Sequence, residues 1–184
     1  MTWYLETERL RLRPFHADLS DLDAFHAVVS DPVSMRFYPK PFDRAATRMW
    51  IERVLERYER HGFGLLAIEE KATGEMIGDC GPMLMPVGAD EFVELGWHVR
   101  GDRQRQGFAR EAGAACRDHT WRELGPDRLI SLIRPENVPS WKVARALGFR
   151  PWRATVRVGM GHVVWTIERP APVRRPIHPS PIAP

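Results

Sequence analysis

The sequence predicts an α/β protein in which helices cover both faces of one mixed sheet. Three observations support this: short runs of alternating or continuous apolar residues, longer runs with a helical apolar stripe, and the alternation of the two along the second half of the chain. With 184 residues, of which 43% are hydrophobic, the chain can build one full core. We therefore predict a single domain over residues 1–169 and a proline-rich tail over residues 170–184, which we expect to be mobile.

The first third of the chain predicts one strand and two helices. Residues 7–15 alternate between Leu and Arg, as in a strand with one wet face. Residues 18–30 carry an apolar helical stripe. Residues 43–61 predict a longer helix that is capped by Asp43 and closed by Gly62. We interpret the charged residues of this helix as a solvated face.

The middle of the chain predicts three strands. Residues 64–70 and 75–82 flank a short turn and are expected to pair in antiparallel fashion. Residues 86–90 contain Pro, Gly and Asp and are interpreted as a loop. Residues 92–99 form the strand that follows this loop. The prolines and aromatic residues of 33–42, between the two helices, predict an ordered loop.

The last third predicts two helices and three strands. Residues 107–124 form an alanine-rich helix, and residues 128–133 form a short apolar strand. A second helix over 140–147 is followed by a hairpin of strands 150–158 and 162–169. The strand, helix and strand from residue 92 to residue 133 are expected to form a right-handed parallel crossover.

Composition argues against several classes of function. The net charge is +3, and Arg174 and Arg175 of the tail supply two of the positive charges, so the body is nearly neutral and unlike a nucleic-acid-binding protein. No apolar run approaches the roughly 18 residues of a membrane span, and the N-terminus lacks the apolar region of a secretory signal. Cys80 and Cys116 are expected to be reduced and buried, as in a cytoplasmic protein. No Cys or His spacing resembles a metal site.

The stretch from Arg103 to Ala112 is the most informative part of the sequence. It joins a strand to a helix through a turn that contains Gly107, where the backbone can approach a ligand closely. The first N–H groups of a helix have no intrahelical acceptor, and the helix dipole favours an anion there. Four arginines, Arg100, Arg103, Arg105 and Arg110, concentrate positive charge around this turn. The stretch therefore predicts a site for a small phosphorylated ligand.

Several motifs resemble those of the GNAT superfamily of N-acetyltransferases. Gln104-x-x-Gly107-x-Ala109 resembles the Q/R-x-x-G-x-G/A signature that binds the pyrophosphate of acetyl-CoA in that superfamily. The segment from Asn137 to Phe149 is similar to its N-x-x-S/A…G-F segment. The opening residues from Thr7 to Arg13 resemble the T-x-R-L-x-L-R start of the RimJ/RimL-like branch. The resemblance covers residues 5–169 and implies the GNAT fold, with a splayed sheet of about seven strands.

The resemblance implies that acetyl-CoA is the acyl donor and that an amine attacks its thioester directly in a ternary complex. The turn would hold the diphosphate, and the strand before it would hold the extended pantetheine arm. Asn137 would contact the pantetheine amide, and Ser140 would lie nearby. The expected cofactor-binding residues are Leu95, Trp97, His98, Val99, Gln104, Arg105, Gln106, Gly107, Phe108, Ala109, Arg110, Asn137 and Ser140.

The catalytic residues are open to alternatives. Glu94 lies on the strand where many relatives place a carboxylate, and it is the first candidate for the general base; it could equally be a strand carboxylate paired with an arginine. His98 shares its face and is the second candidate. Many relatives protonate the leaving thiolate with a tyrosine, but this chain has Ala144 at that position. Ser140 is the nearest hydroxyl, although it could also be a helix cap.

The resemblance implies that the acceptor is a primary amine, either a protein N-terminus or a small molecule, and that the acyl group could be longer than acetyl. The two first helices and their loop are expected to line the acceptor pocket, with Met35, Phe37, Tyr38 and Trp50 as candidates. A catalytically silent acyl-CoA-binding regulator is the alternative from another class. The protein is expected to be a monomer or a homodimer, with no metal and no nucleic-acid or membrane partner.

Overall fold

The structure is a computed structural model that describes residues 3–170. The predicted tail therefore lies outside the described residues, apart from Pro170. Eight strands and four helices follow one another along the described chain: β1 Leu5–Glu6, β2 Leu10–Arg13, α1 Leu22–Val29, α2 Arg44–His61, β3 Leu66–Glu70, β4 Met76–Val87, β5 Asp90–Val99, α3 Phe108–Glu123, β6 Arg128–Ile133, α4 Val138–Ala146, β7 Arg150–Arg157 and β8 Met160–Glu168. No helix in this part of the chain is long and apolar enough to span a membrane.

The strands form one mixed sheet in the order β1-β2-β3-β4-β5-β6-β8-β7. Only β5 and β6 are parallel neighbours, and α3 is the crossover between them. The α/β class, the mixed sheet and the parallel crossover are thus confirmed. The sheet has eight strands instead of about seven because a short strand, β1, precedes the predicted first strand. The hydroxyl of Thr7 accepts a hydrogen bond from the Leu10 N–H at 3.0 Å and so turns the chain between β1 and β2.

The sequence signals at the ends of α2 are confirmed in atomic detail. The Asp43 carboxylate accepts a hydrogen bond from the Ala46 N–H at 2.8 Å, and Gly62 ends the helix with a φ of 76°. The first helix, in contrast, is shorter than predicted and begins at Leu22. Its start is delayed because Leu19 has a φ of 61°, which is incompatible with a right-handed helix over the predicted first turn.

Strand β4 is longer than predicted, and the predicted loop over residues 86–90 is wrong. The strand continues to Val87, and only a tight turn separates it from β5. Pro82 and Pro86 suggested an earlier end because proline lacks a backbone N–H. They are tolerated because β3 pairs with β4 only as far as Cys80, so one edge of β4 has no neighbouring strand at either proline.

Two helical layers enclose the sheet and give β5 two different faces. Helices α1 and α2 pack on one face, and α3 and α4 pack on the other. Along β5, Leu95 and Val99 join the core under α3, whereas Phe92 packs towards α2. Cys80 and Cys116 are buried, free thiols in the α3 layer, as predicted.

Candidate active site

A single cleft runs between β5 and β6 because the two strands separate soon after they pair. Their register includes only Val93 with Leu129 and Glu94 with Ile130. Beyond Glu94, β5 continues to Val99 with only β4 beside it, so one of its backbone edges faces the gap. The cleft has a volume of about 1460 Å³ and extends from the glycine turn before α3 to the β7–β8 hairpin. The splay thus joins the predicted phosphate site to the predicted acceptor side.

The glycine turn at one end of the cleft has a left-handed backbone. Gly107 has a φ of 88°, and Arg105 has a φ of 64°. Helix α3 begins at Phe108 without a side-chain cap. Among the described residues, the N–H groups from Arg105 to Arg110 donate no hydrogen bond. The first N–H of this segment that does is that of Glu111, which donates to a backbone carbonyl. Free N–H groups at a helix start are the groups that bind phosphate.

The N-terminal strands brace this turn from outside. The Glu111 carboxylate accepts hydrogen bonds from the Thr7 hydroxyl at 2.6 Å and from the Arg9 backbone N–H at 2.9 Å. The Arg9 guanidinium also donates to the Gln106 carbonyl at 3.0 Å and lies over the Phe108 ring. The opening motif therefore has a physical role, since it holds the first turn of α3 and the glycine turn together.

The structure divides the four predicted arginines into two pairs. Arg100 and Arg103 form ion pairs with Glu75 and Asp102, so their charge is largely neutralised within the protein. Arg105 and Arg110 have no ion pair in the described chain, and both line the cleft. The side-chain amide of Gln104 donates a hydrogen bond to the Val99 carbonyl at 3.0 Å and thus connects the turn to the end of β5.

Glu94 is buried at the point where the strands diverge. Its Oε1 accepts a hydrogen bond from the Leu132 N–H at 3.0 Å, and its Oε2 is buried without a hydrogen-bond partner in the described residues. Burial raises the pKa of Glu94, and the Leu132 N–H, Arg157, His98 and Arg57 offset this only in part. Glu94 lines the cleft, and its carboxylate has one oxygen held by the fold and one buried oxygen without a partner among the described residues.

His98 is the centre of a hydrogen-bonded chain of three side chains. Its Nδ1 lies 2.6 Å from the Oδ1 of Asp79, and its Nε2 lies 2.6 Å from the Tyr38 hydroxyl. Asp79 is fully buried. Burial alone would lower the pKa of His98, but Tyr38 and Asp79 outweigh it and raise the pKa well above its ordinary value. Sequence reasoning identified His98 and Tyr38 separately but missed Asp79, which lies opposite His98 on β4.

Asn137 and Ser140 lie at the start of α4, on the wall of the cleft formed by the α3 layer. The Oδ1 of Asn137 accepts a hydrogen bond from the Ser140 N–H at 3.1 Å, so Asn137 is the cap of this helix. The helix therefore begins at Val138, two residues before the predicted start. The Ser140 hydroxyl has no hydrogen bond within the described residues and faces the cleft.

Of the four residues predicted to line the acceptor pocket, three line the cleft and one does not. Phe37, Tyr38 and Trp50 line the cleft, whereas Met35 is buried in the core under α1 and α2. The interpretation of the charges of α2 as a solvated face is confirmed for Arg53, which is exposed, and is wrong for the half-buried Arg57; both residues line the cleft. Together with Arg157 at the end of β7, they are cleft residues that sequence reasoning missed.

Comparison with known proteins gives consistent results. The family model described as Acetyltransferase (GNAT) domain matches residues 9–150, which is more than half of the chain. The uncharacterized protein YkkB of Bacillus subtilis (strain 168) is 29% identical over 160 residues, which cover 84% of this chain and 92% of YkkB. The uncharacterized N-acetyltransferase p20 of Bacillus licheniformis is 30% identical over 148 residues, which cover 79% of this chain and 82% of that protein.

Solved structures share the fold over nearly the whole described chain. The acetyltransferase from Agrobacterium tumefaciens str. C58 is 28% identical with a TM-score of 0.77, and the match covers 91% of this chain and 95% of that one. Mycobacterium smegmatis RimJ, in complex with CoA-disulfide, is 22% identical with a TM-score of 0.66, and the match covers 91% of this chain and 86% of that one.

Proposed function

The chain belongs to the GNAT acetyltransferase family, and we propose that it transfers an acetyl group from acetyl-CoA to a primary amine by direct attack in a ternary complex. The observation that carries this proposal is the continuity of the cleft. One opening connects a turn of free N–H groups with a buried carboxylate that has an unpartnered oxygen. We further place the chain in the RimJ/RimL-like branch, on the motif from Thr7 to Arg13 that holds the glycine turn.

The donor would bind with its diphosphate at the glycine turn. The free N–H groups from Arg105 to Arg110 and the unpaired guanidinium groups of Arg105 and Arg110 supply hydrogen bonds and positive charge for it. The pantetheine arm would lie along the open edge of β5 from Leu95 to Val99. Beyond Glu94, β6 no longer pairs with β5, so the pantetheine amides can form hydrogen bonds with this edge of β5. The side-chain amide of Asn137, at the start of α4, can bind the pantetheine from the other side. The thioester would then lie near Glu94.

Glu94 is the stronger of the two candidates for the general base. The attacking amine must lose a proton, because its pKa is about 8 for an α-amine and about 10 for a lysine-type amine. A carboxylate with a raised pKa is a better proton acceptor near neutral pH, and its free Oε2 can take the proton directly or through water. His98 is less suited, since both of its ring nitrogens are already engaged, by Asp79 and by Tyr38.

The leaving thiolate has a modest requirement for acid catalysis. A thiol has a pKa of about 8–9, so its anion can leave without prior protonation. The Ser140 hydroxyl is the proposed donor, because Asn137 performs the capping role that would otherwise occupy Ser140. A hydroxyl so placed can donate to the sulfur as negative charge develops there.

A turnover assay with one variant tests this proposal. Release of free thiol from acetyl-CoA would be followed with a panel of primary amines and peptides, and acetyl-CoA binding would be measured separately by calorimetry. Glu94→Gln is expected to lower kcat by about 10²–10⁴-fold and to leave acetyl-CoA binding unchanged. Glutamine can still accept the Leu132 hydrogen bond, so the fold of the cleft should persist.

The matched control is Glu91→Gln, which changes the same residue type at an exposed position of the same strand. It is expected to retain wild-type kcat. A Glu94→Gln enzyme within about threefold of wild type would remove Glu94 from the base role. Acetyl-CoA binding without turnover of any amine would favour a catalytically silent acyl-CoA-binding regulator or a longer acyl donor, and assays with propionyl-CoA and longer acyl-CoA thioesters would distinguish the two.

A further inference from the structure

Three arginines line the acceptor side of the cleft without a partner. Arg53 and Arg57 come from α2, and Arg157 comes from the end of β7, on the opposite wall. Within the described residues, none of the three takes part in a hydrogen bond or an ion pair. Among the other cleft arginines of the described chain, Arg103 pairs with Glu70 and Arg134 with Glu136, whereas Arg105 and Arg110 are unpaired at the glycine turn. The three arginines thus form a second unpaired group, at the acceptor end of the cleft.

These arginines are close enough to repel one another. The pKa of Arg57 is lowered first by burial and then by the positive charges of Arg157 and Arg53. Glu94 is the only carboxylate among the cleft-lining residues, and Glu56 on α2 also lies near Arg57. Glu56, Arg53 and Arg157 are exposed to solvent, where their charges are partly screened, whereas Arg57 is half-buried. Two carboxylates thus face three guanidinium groups, which leaves positive charge beside the proposed base.

The donor does not account for this charge. Its diphosphate belongs at the glycine turn, beyond the Val99 end of β5, and Arg105 and Arg110 serve it there. Val99 lies five residue steps of extended strand beyond Glu94, which is about 17 Å. The part of the donor that reaches Glu94 is the uncharged thioester. An anion that binds the three arginines must therefore belong to the acceptor.

We propose that the acceptor is an amine that also carries an anionic group, either a carboxylate or a phosphate. This inference rests on the proposed function and names the substrate class of the same site. The anionic group would bind to Arg57 and Arg157, and Arg53 would add positive charge from the preceding turn of α2. The amine would then lie next to the unpartnered oxygen of Glu94. Guanidinium groups suit this role because they bind both kinds of anion in a bidentate way.

Matched pairs of acceptors test the inference. β-Alanine would be compared with β-alaninamide, phosphoethanolamine with ethanolamine, and a short peptide having Asp at its second position with the same peptide having Asn. Each pair varies the charge and keeps a primary amine. The three pairs show whether the anionic group of the acceptor is a small carboxylate, a phosphate or the side chain of an acidic peptide. For at least one pair, the anionic member is expected to have a kcat/KM at least about tenfold higher.

Variants then connect this preference to the arginines. Arg57→Gln and Arg157→Gln are each expected to reduce the preference by about tenfold, mainly through KM, because the anion binds in the ground state as well as in the transition state. Arg57→Lys should retain part of it, since the charge remains. Arg60→Gln is the control, because Arg60 is an exposed arginine of the same helix that does not line the cleft.

The outcomes separate this inference from the proposed function. If the neutral member of every pair is acetylated as fast as the anionic one, the acceptor inference is wrong and the acetyltransferase proposal stands. The same conclusion follows if the preference survives both Arg57→Gln and Arg157→Gln. If no amine of either kind releases thiol from acetyl-CoA, both are wrong.

Discussion

Substitution of Gly107 is the sharpest test of where the donor binds. The residue has a φ of 88°, and the nearest atom to an added Cβ is the Nη2 of Arg9 at 3.4 Å. An added Cβ therefore fits the space but strains the backbone, at a cost of about 1–2 kcal/mol in the free energy of unfolding. Gly107→Ala introduces this strain alone. Gly107→Glu adds a carboxylate among the N–H groups that are proposed to hold the diphosphate.

The added charge should dominate the effect on binding. A unit charge about 4 Å from one phosphate charge costs about 4 kcal/mol near a protein surface, which corresponds to roughly a thousandfold loss of affinity. In a calorimetric titration, the wild type is expected to bind acetyl-CoA in the micromolar range and Gly107→Glu to show no binding in that range. Gly107→Ala should remain within about tenfold of wild type, since it keeps the N–H groups and adds no charge.

Gly88 provides the matched control for this experiment. It lies in the β4–β5 turn with a φ of 69°, has no atom within 4 Å of an added Cβ and does not line the cleft. Gly88→Glu thus brings the same charge and similar strain, and it is expected to bind acetyl-CoA as the wild type does. Wild-type affinity in Gly107→Glu would refute the placement of the diphosphate at this turn.

Two further predictions concern charged side chains that hold the site in place. Burial raises the pKa of Glu111, but hydrogen bonds from Thr7 and Arg9 outweigh it and hold the pKa below its usual value. A lowered folded-state pKa gives stability that is present above the unfolded pKa of about 4.3 and is lost as the pH falls through the folded value. Glu111→Gln should therefore lower the free energy of unfolding in urea by about 1–3 kcal/mol at pH 7 and by less at pH 3, and an equal loss at both would contradict this reasoning. Asp79→Asn should lower the pKa of His98, measured by NMR titration of its imidazole, because burial is then opposed by Tyr38 alone; an unchanged midpoint would show that Asp79 has no part in the shift.

Local signals explain the parts of the site that the sequence predicted. The glycine turn needs only a strand, a residue with positive φ and a helix start, all within the stretch from Val99 to Phe108. The cap of α2 at Asp43 is equally local, since its partner is three residues away. Such features depend on chain geometry over a few residues, so they are predictable before the fold is known.

The hydrogen-bonded chain of Asp79, His98 and Tyr38 was not predicted, because it depends on the register between β4 and β5 and the prolines of β4 suggested a different end for that strand. In an antiparallel hairpin, the position of the turn decides which residues face each other. With the turn after Val87, Asp79 faces His98. Pro82 and Pro86 instead suggested that the strand ends early, which left Asp79 without a predicted partner.

The cleft arginines were missed for a different reason. A helical stripe distinguishes the apolar side of α2 from its polar side, but it does not show what the polar side faces. In the structure, part of the polar side forms a wall of the cleft opposite Arg157. Only the arrangement of α2 against the distant β7–β8 hairpin reveals this, and no local pattern in either segment carries that information.

The divergence of β5 and β6 accounts for both the cleft and the position of its carboxylate. When β6 leaves β5, the Leu132 N–H finds its partner in the Oε1 of Glu94. One oxygen is thereby fixed by the same divergence that opens the cleft, and the other has no partner among the described residues and is the one proposed to act on the amine. Glu94→Ala would leave a buried N–H unpaired, at a cost of about 1–3 kcal/mol in stability, whereas glutamine would not. Glu94 thus supports the cleft and is also the proposed base. Its chemical role can be tested only with the isosteric variant Glu94→Gln, because alanine would remove the support of the cleft together with the base.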